Sequence, residues 1–257
     1  MKKAMGVVMY FIIITSIFFG CMNLKTHVGK NKVENYYTKA FDKKYKKGMD
    51  NFVYLAKLNK LELGCEVDDP DPMCQPIISS TASGVVLSSY QNSIFVLTAA
   101  HFCKKEVPPG VDEKIIGFPK DREREFRIIK MDEKIDACLL MGIKFKNEKF
   151  NQIKLASKDP VVGSDVYTVA APNGIGGPGF RLVFTGKFGG CDSAGCMTTI
   201  PATFGSSGAA IYTKDGELIT IVMAVSQGFE NLILSPPREE LYKFILNIDS
   251  EVDIYPY

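Results

Sequence analysis

Three residues of different chemistry stand in a suggestive order: His101 closes Thr98-Ala99-Ala100-His101, Asp136 opens Asp136-Ala137-Cys138-Leu139-Leu140, and Ser207 lies inside Gly205-Ser206-Ser207-Gly208. A serine hydroxyl is a poor nucleophile until a neighbouring imidazole takes its proton. The imidazole in turn needs a carboxylate to fix its tautomer and stabilise its cation. Glycines around a serine remove the Cβ atoms that would block a sharp bend or a close-lying substrate, and they leave bare amide N–H groups facing the hydroxyl. Singly, the three residues read as a capped strand end, an exposed charge before a buried strand and an ordinary turn. Their coincidence in one chain, in the order His, Asp, Ser, points to nucleophilic catalysis.

The segments that would have to position these residues are short apolar runs separated by turn residues. Gly84–Leu87, Ile94–Leu97, Lys114–Phe118, Phe126–Ile129 and Ala137–Leu140 form a first set; Val166–Ala170, Phe180–Phe184, Ala209–Tyr212 and Leu218–Val225 form a second. Many short strands without long helical periodicity indicate a barrel or a sandwich, and two sets indicate two lobes. Pro236-Pro237 introduces a final amphipathic stretch from Arg238 to Asn247, with Leu241, Phe244, Ile245 and Ile248 on one face, which predicts a helix. Upstream, the lysine-rich stretch from Leu24 to Lys60 reads as a partly helical spacer, and Asp68-Asp69-Pro70-Asp71-Pro72 breaks any helix there.

With 257 residues, 46% apolar content and a net charge of +2, the chain can bury one globular unit of ordinary size, and nothing global suggests a nucleic-acid partner. Lys2-Lys3 and the apolar run Val7–Phe19 fit the core of a signal peptide, being shorter than the span of about 20 residues a membrane helix needs. Phe18-Phe19-Gly20-Cys21 resembles a bacterial lipobox, in which Cys21 would be lipidated and become the first mature residue; the alternative is an uncleaved amino-terminal anchor. Either places the remainder on the exported side, attached to a membrane through its amino terminus. There the even set Cys65, Cys74, Cys103, Cys138, Cys191 and Cys196 suits disulfides. Sequence does not fix the pairing, although Cys191 with Cys196 closes a short loop and Cys65 with Cys74 is the next local pair. With no CxxC spacing, a metal site is not expected.

Taken together, these segments resemble the chymotrypsin-like serine proteases of the trypsin superfamily, and among them the bacterial HtrA-type proteases more than the digestive ones. The likeness lies in Ser83-Gly84-Val85-Val86-Leu87, the T-A-A-H of His101, the D-x-A-x-L of Asp136, the G-x-S-G of Ser207, and the later Gly216–Ile219 and Ile233–Pro236. It covers roughly Ser79 to Ile248. The resemblance implies an all-β protein of two six-stranded antiparallel barrels with a carboxy-terminal helix, preceded by a helical amino-terminal segment. The expected boundaries are a signal or lipobox over 1–21, a spacer over 22–64, and a protease domain over 65–257, with barrels over about 75–160 and 161–235 and the helix over about 237–248.

The resemblance also implies a serine endopeptidase acting on polypeptides, with Ser207 as nucleophile, His101 as base, Asp136 as its carboxylate, and Gly205, Ser206 and Ser207 around the oxyanion. Pro201 and Thr203 would be among the substrate-binding residues, and Ala224-Val225-Ser226 would pair with substrate backbone. No cofactor is implied. Pro201 stands where trypsin-like members carry an acid, so no preference for Lys or Arg is expected. Ser206 replaces the acid common in digestive members and Ala209 replaces a second glycine; on these two changes rests the alternative of an inactive peptide-binding module on the same fold. With few residues after Ile248, no PDZ domain is expected there.

Overall fold

The computed structural model describes residues 43–61, 75–105, 107–175, 179–226 and 228–247. Six strands close into an antiparallel barrel in the order β1-β2-β3-β6-β5-β4: β1 (Phe52–Leu61), β2 (Ile77–Tyr90), β3 (Ser93–Ala99), β4 (Val111–Gly117), β5 (Arg124–Asp132) and β6 (Ala137–Ile143). Alternate residues along the strands, among them Val53, Leu55, Val86, Ile94, Val96, Phe126 and Leu140, form one buried cluster. The opposite faces are covered as well. Phe52, Tyr54, Val85, Leu97 and Leu139 join Tyr167, Val169 and Tyr212 of the second lobe in a shared core. Burial on both faces is why β3 and β6 read as unbroken apolar runs rather than alternating ones.

The second lobe is a curled seven-stranded sheet in the order β11-β10-β7-β8-β9-β13-β12. Its strands are β7 (Asp165–Ala170), β8 (Leu182–Cys191), β9 (Cys196–Thr198), β10 (Ala210–Thr213), β11 (Leu218–Ile221), β12 (Ala224–Ser226) and β13 (Phe229–Ser235). It curls into a half-barrel, and with the closed first barrel it gives the all-β double-barrel architecture expected. The end strands β11 and β12 have only 4 and 3 residues and do not pair with each other. The run Leu218–Val225, expected as one strand, breaks because Val222 turns to the serine loop: its N–H donates to Ala209 O and its carbonyl accepts from Gly208 N–H. Helix α2 (Arg238–Leu246) follows Pro237 and buries Leu241 and Phe244, as its pattern predicted.

The largest departure from the sequence reading is β1, which lies inside the stretch expected as spacer. It pairs with β2 from Phe52↔Val85 and with β4 from Leu55↔Gly117, so the barrel starts at Phe52 and not near residue 75. Lys57 hid it, because a charge in mid-strand breaks the apolar pattern. Here the Lys57 side chain is buried, and its ammonium pairs with Glu113 on β4 at 3.3 Å. Residues 43–51 just before it are helical. Tyr45 of that helix meets Tyr167 edge-on at 4.8 Å, and Tyr167 stacks on Tyr212 at 5.0 Å, so the helix packs on the second lobe while the strand after it completes the first.

Cys191 is bonded to Cys196, the short loop anticipated, and Cys103 is bonded to Cys138. The signal segment, Cys21, Cys65 and Cys74 lie outside the described residues, among which no helix is long and apolar enough to cross a membrane.

Candidate active site

His101 belongs to α1 (Ala100–Cys103), a single turn that continues directly from β3. So short a helix has no stability of its own, and the position of His101 is set by tertiary contacts. Phe102 and Cys103 are buried beneath it while the imidazole is 49% exposed. The main contact is Asp136, at the end of the turn before β6, in a left-handed conformation (φ 48°) that Asp tolerates better than most residues. Its Oδ2 accepts from His101 Nδ1 at 2.7 Å and its Oδ1 from the His101 backbone N–H at 2.8 Å, while its carbonyl accepts from Ala100 N–H at 3.0 Å. The carboxylate therefore grips ring and backbone together. Holding the proton on Nδ1 leaves Nε2 as an acceptor, the tautomer a general base requires.

Ser207 sits in a loop fastened across the two lobes. Ser83 N–H on β2 donates to the Ser207 carbonyl at 2.9 Å. The Ser83 hydroxyl donates to Gly205 O at 2.8 Å and accepts from Ala171 N–H at 3.0 Å, and Thr98 Oγ1 donates to Ser83 O at 2.8 Å. Gly208 (φ 80°) lies so close to these strands that a Cβ there would come within 2.3 Å of Thr98 Oγ1 and 2.7 Å of Ala99 N. The loop is thus pressed onto the end of β3, the strand that leads into His101. Among the described residues no hydrogen bond joins Ser207 Oγ to His101 Nε2, a separation common before substrate binds.

Sequence reasoning passed over Ser83 and Thr98 as site residues. Both are fully buried polar side chains in strands, and that misfit with an apolar interior was the available signal.

The amides of the loop divide cleanly. Ser206 N–H donates to Thr203 O at 3.0 Å, whereas no acceptor among the described residues takes the N–H of Gly205 or Ser207. Ser206 is 1% exposed and turns inward, its hydroxyl 3.4 Å from Thr203 N, so it supports the loop rather than facing the oxyanion site in which it was expected. Thr203 is likewise part of that support, and Pro201 is exposed at the start of the loop. Phe204, immediately before Gly205, is 87% exposed. The segment Ala224-Val225-Ser226 is β12, which pairs with β13 on one side and forms the end of the sheet on the other, so its outer edge is open to an extended peptide.

Comparison with known proteins agrees with this architecture. The crystal structure of the serine endoprotease from Yersinia pestis superposes with a TM-score of 0.60 at 19% identity, covering 82% of this chain and 68% of that one, a likeness of fold. The curated proteins contain no match. The trypsin-like peptidase domain matches residues 82–221, more than half of the chain, and spans the His101, Asp136 and Ser207 segments alike. The chain belongs to the trypsin-like peptidase family.

Proposed function

We propose that this protein is an exported, membrane-anchored serine endopeptidase in which Ser207 is the nucleophile, His101 the base and Asp136 the carboxylate that orients it. The observation that carries this reading is the double contact of Asp136 with His101 beside a serine loop hydrogen-bonded to the neighbouring strand. A polypeptide lies extended along the open edge of β12 with its scissile carbonyl over Ser207. The hydroxyl attacks, and its proton passes to His101 Nε2 while Asp136 stabilises the imidazolium. The oxyanion receives hydrogen bonds from Gly205 N–H and Ser207 N–H, donors whose removal in comparable sites costs about 3 to 4 kcal/mol of transition-state stabilisation. His101 then gives the proton to the leaving amine. Water, deprotonated by the same imidazole, releases the acyl group and restores Ser207.

A fluorophosphonate probe tests the assignment. Covalent labelling of the folded protein, lost together with peptide cleavage in Ser207→Ala, is the expected result; folded protein that neither labels nor cleaves would instead be a peptide-binding module. Export and anchoring rest on Lys2-Lys3, the Val7–Phe19 run and Cys21. Cys21→Ala should release the protein from the membrane fraction, and retention there would favour an uncleaved anchor.

A further inference from the structure

We infer that the Cys103–Cys138 disulfide is a positioning device for the His101–Asp136 pair, one that makes catalysis depend on its oxidation; the inference rests on the proposed roles of those two residues. The bond joins the segments that carry them, and does so at the same offset: Cys103 is two residues beyond His101, and Cys138 two beyond Asp136. The β3–β6 ladder already aligns these segments up to Ala99↔Ala137. His101 lies past that last rung, where strand pairing no longer controls it.

Two residues along a helix are about 200° apart, so when Cys103 is drawn inward to β6, His101 is turned outward. The exposures follow: Cys103 is 2% exposed, Cys138 fully buried, and the imidazole accessible. A second tie holds the far end of the same turn, since the buried Lys57 ammonium donates to Lys104 O while paired with Glu113. The short turn is therefore fixed at its start by Asp136 and at its end by Cys138 and Lys57. A disulfide serving barrel stability alone would have no need to cross at the one place where the ladder stops and the imidazole begins.

Reduction would proceed by thiol–disulfide exchange. A dithiol attacks one sulfur as its thiolate and forms a mixed disulfide, and its second thiol expels the other cysteine. Two electrons and two protons pass to Cys103 and Cys138, and the reductant leaves as its own disulfide. Both sulfurs are buried, so exchange waits on local opening, and the bond persists under mild reducing conditions.

The test uses the full chain, which has only two histidines, His27 and His101, so the imidazole resonances are readily assigned with a His27→Gln background. In the oxidised protein, a low-field proton resonance from His101 Nδ1–H is expected. In Cys103→Ala/Cys138→Ala, with near-ultraviolet dichroism reporting retained packing, that resonance should broaden or vanish and kcat should fall about 10²-fold with KM nearly unchanged. A purely structural role predicts a lower melting temperature with both readouts intact, and that result overturns the inference. If the variant does not fold, the wild-type protein is reduced stepwise with dithiothreitol and alkylated. Activity should then fall with modification of Cys103 and Cys138; activity that survives their modification, or tracks only Cys191 and Cys196, refutes the idea. Absence of the resonance from the oxidised wild-type protein would overturn the His101–Asp136 pairing itself, a failure distinct from loss of labelling at Ser207.

Discussion

Asp136 does two things at once, and a substitution can separate them. Asparagine tolerates the left-handed backbone at this position and can accept one hydrogen bond from His101, so Asp136→Asn should fold. It cannot hold the proton on Nδ1 and also compensate an imidazolium, and turnover should drop by about 10⁴ with the melting temperature little changed. A kcat within tenfold of wild type would remove Asp136 from the mechanism. The three residues singled out for chemistry were legible because few side-chain types can serve, and because the glycines around Ser207 mark a bend. Ser83 and Thr98 were not legible as partners. The Ser83 hydroxyl matters through Gly205 and Ala171, and that of Thr98 through the Ser83 carbonyl, contacts distant in sequence that no local pattern encodes.

At the scale of elements, apolar runs announced most strands; β9 and β13 lie outside those runs, and β1 is the strand hidden by a charge that is cancelled in three dimensions. Lys57 looks like solvated surface until β4 brings Glu113 beside it. A chain beginning at residue 65 would therefore lack β1, leave one edge each of β2 and β4 unpaired and open the barrel; it should be aggregated or unfolded by circular dichroism, whereas one beginning at residue 43 should fold.

A second buried pair ties β5 of the same barrel to the segment after β6. Arg124 on β5 makes a two-pronged contact with Glu148 at 2.8 and 2.9 Å and lies over the Phe145 ring. Burial pushes the Glu148 carboxyl up, but hydrogen bonds from Arg124 and Phe145 N–H and the charges of Arg124 and Arg122 outweigh it and hold it below its ordinary value. A depressed carboxyl stabilises the fold above its unfolded pKa, near 4.3, and that contribution is lost as pH falls through the folded value. Glu148→Gln leaves a buried guanidinium unpaired and should cost about 3 to 5 kcal/mol at pH 7. The gap to wild type should begin to narrow as pH falls below the unfolded value near 4.3, and close only once it has passed the depressed folded value, where Glu148 is neutral in both states. A gap constant from pH 7 to pH 3 in thermal melts would contradict the pair's electrostatic role.

Across the whole molecule, the lobes are joined by a shared apolar core and by a polar clamp in which Asp121 of the barrel accepts from Gly179 N–H and Arg181, both at 2.8 Å. The serine loop itself is held by Ser83 of the barrel and by Val222 of the second lobe, which bears on activation. In the digestive relatives that the sequence resembles, the residue before the nucleophile is an acid that pairs with an amino terminus freed by cleavage. Here that residue is Ser206, buried, uncharged and bonded within its own loop: its N–H donates to Thr203 O, its carbonyl accepts from Ala209 N–H, and its hydroxyl lies near Thr203 N. Bringing an ammonium group into this position would strip its water and offer no anion in return, at a cost of several kcal/mol. Ser83 supplies the order that such an ion pair would give, by fixing Gly205 O and the Ser207 carbonyl to β2. Activity should accordingly need no amino-terminal cut. The measurement is turnover of an optimised peptide by a chain from residue 43 fused behind a folded, uncleavable tag: full turnover is expected, and turnover that appears only after a specific cut near the junction would show that the loop is ordered by a new amino terminus after all.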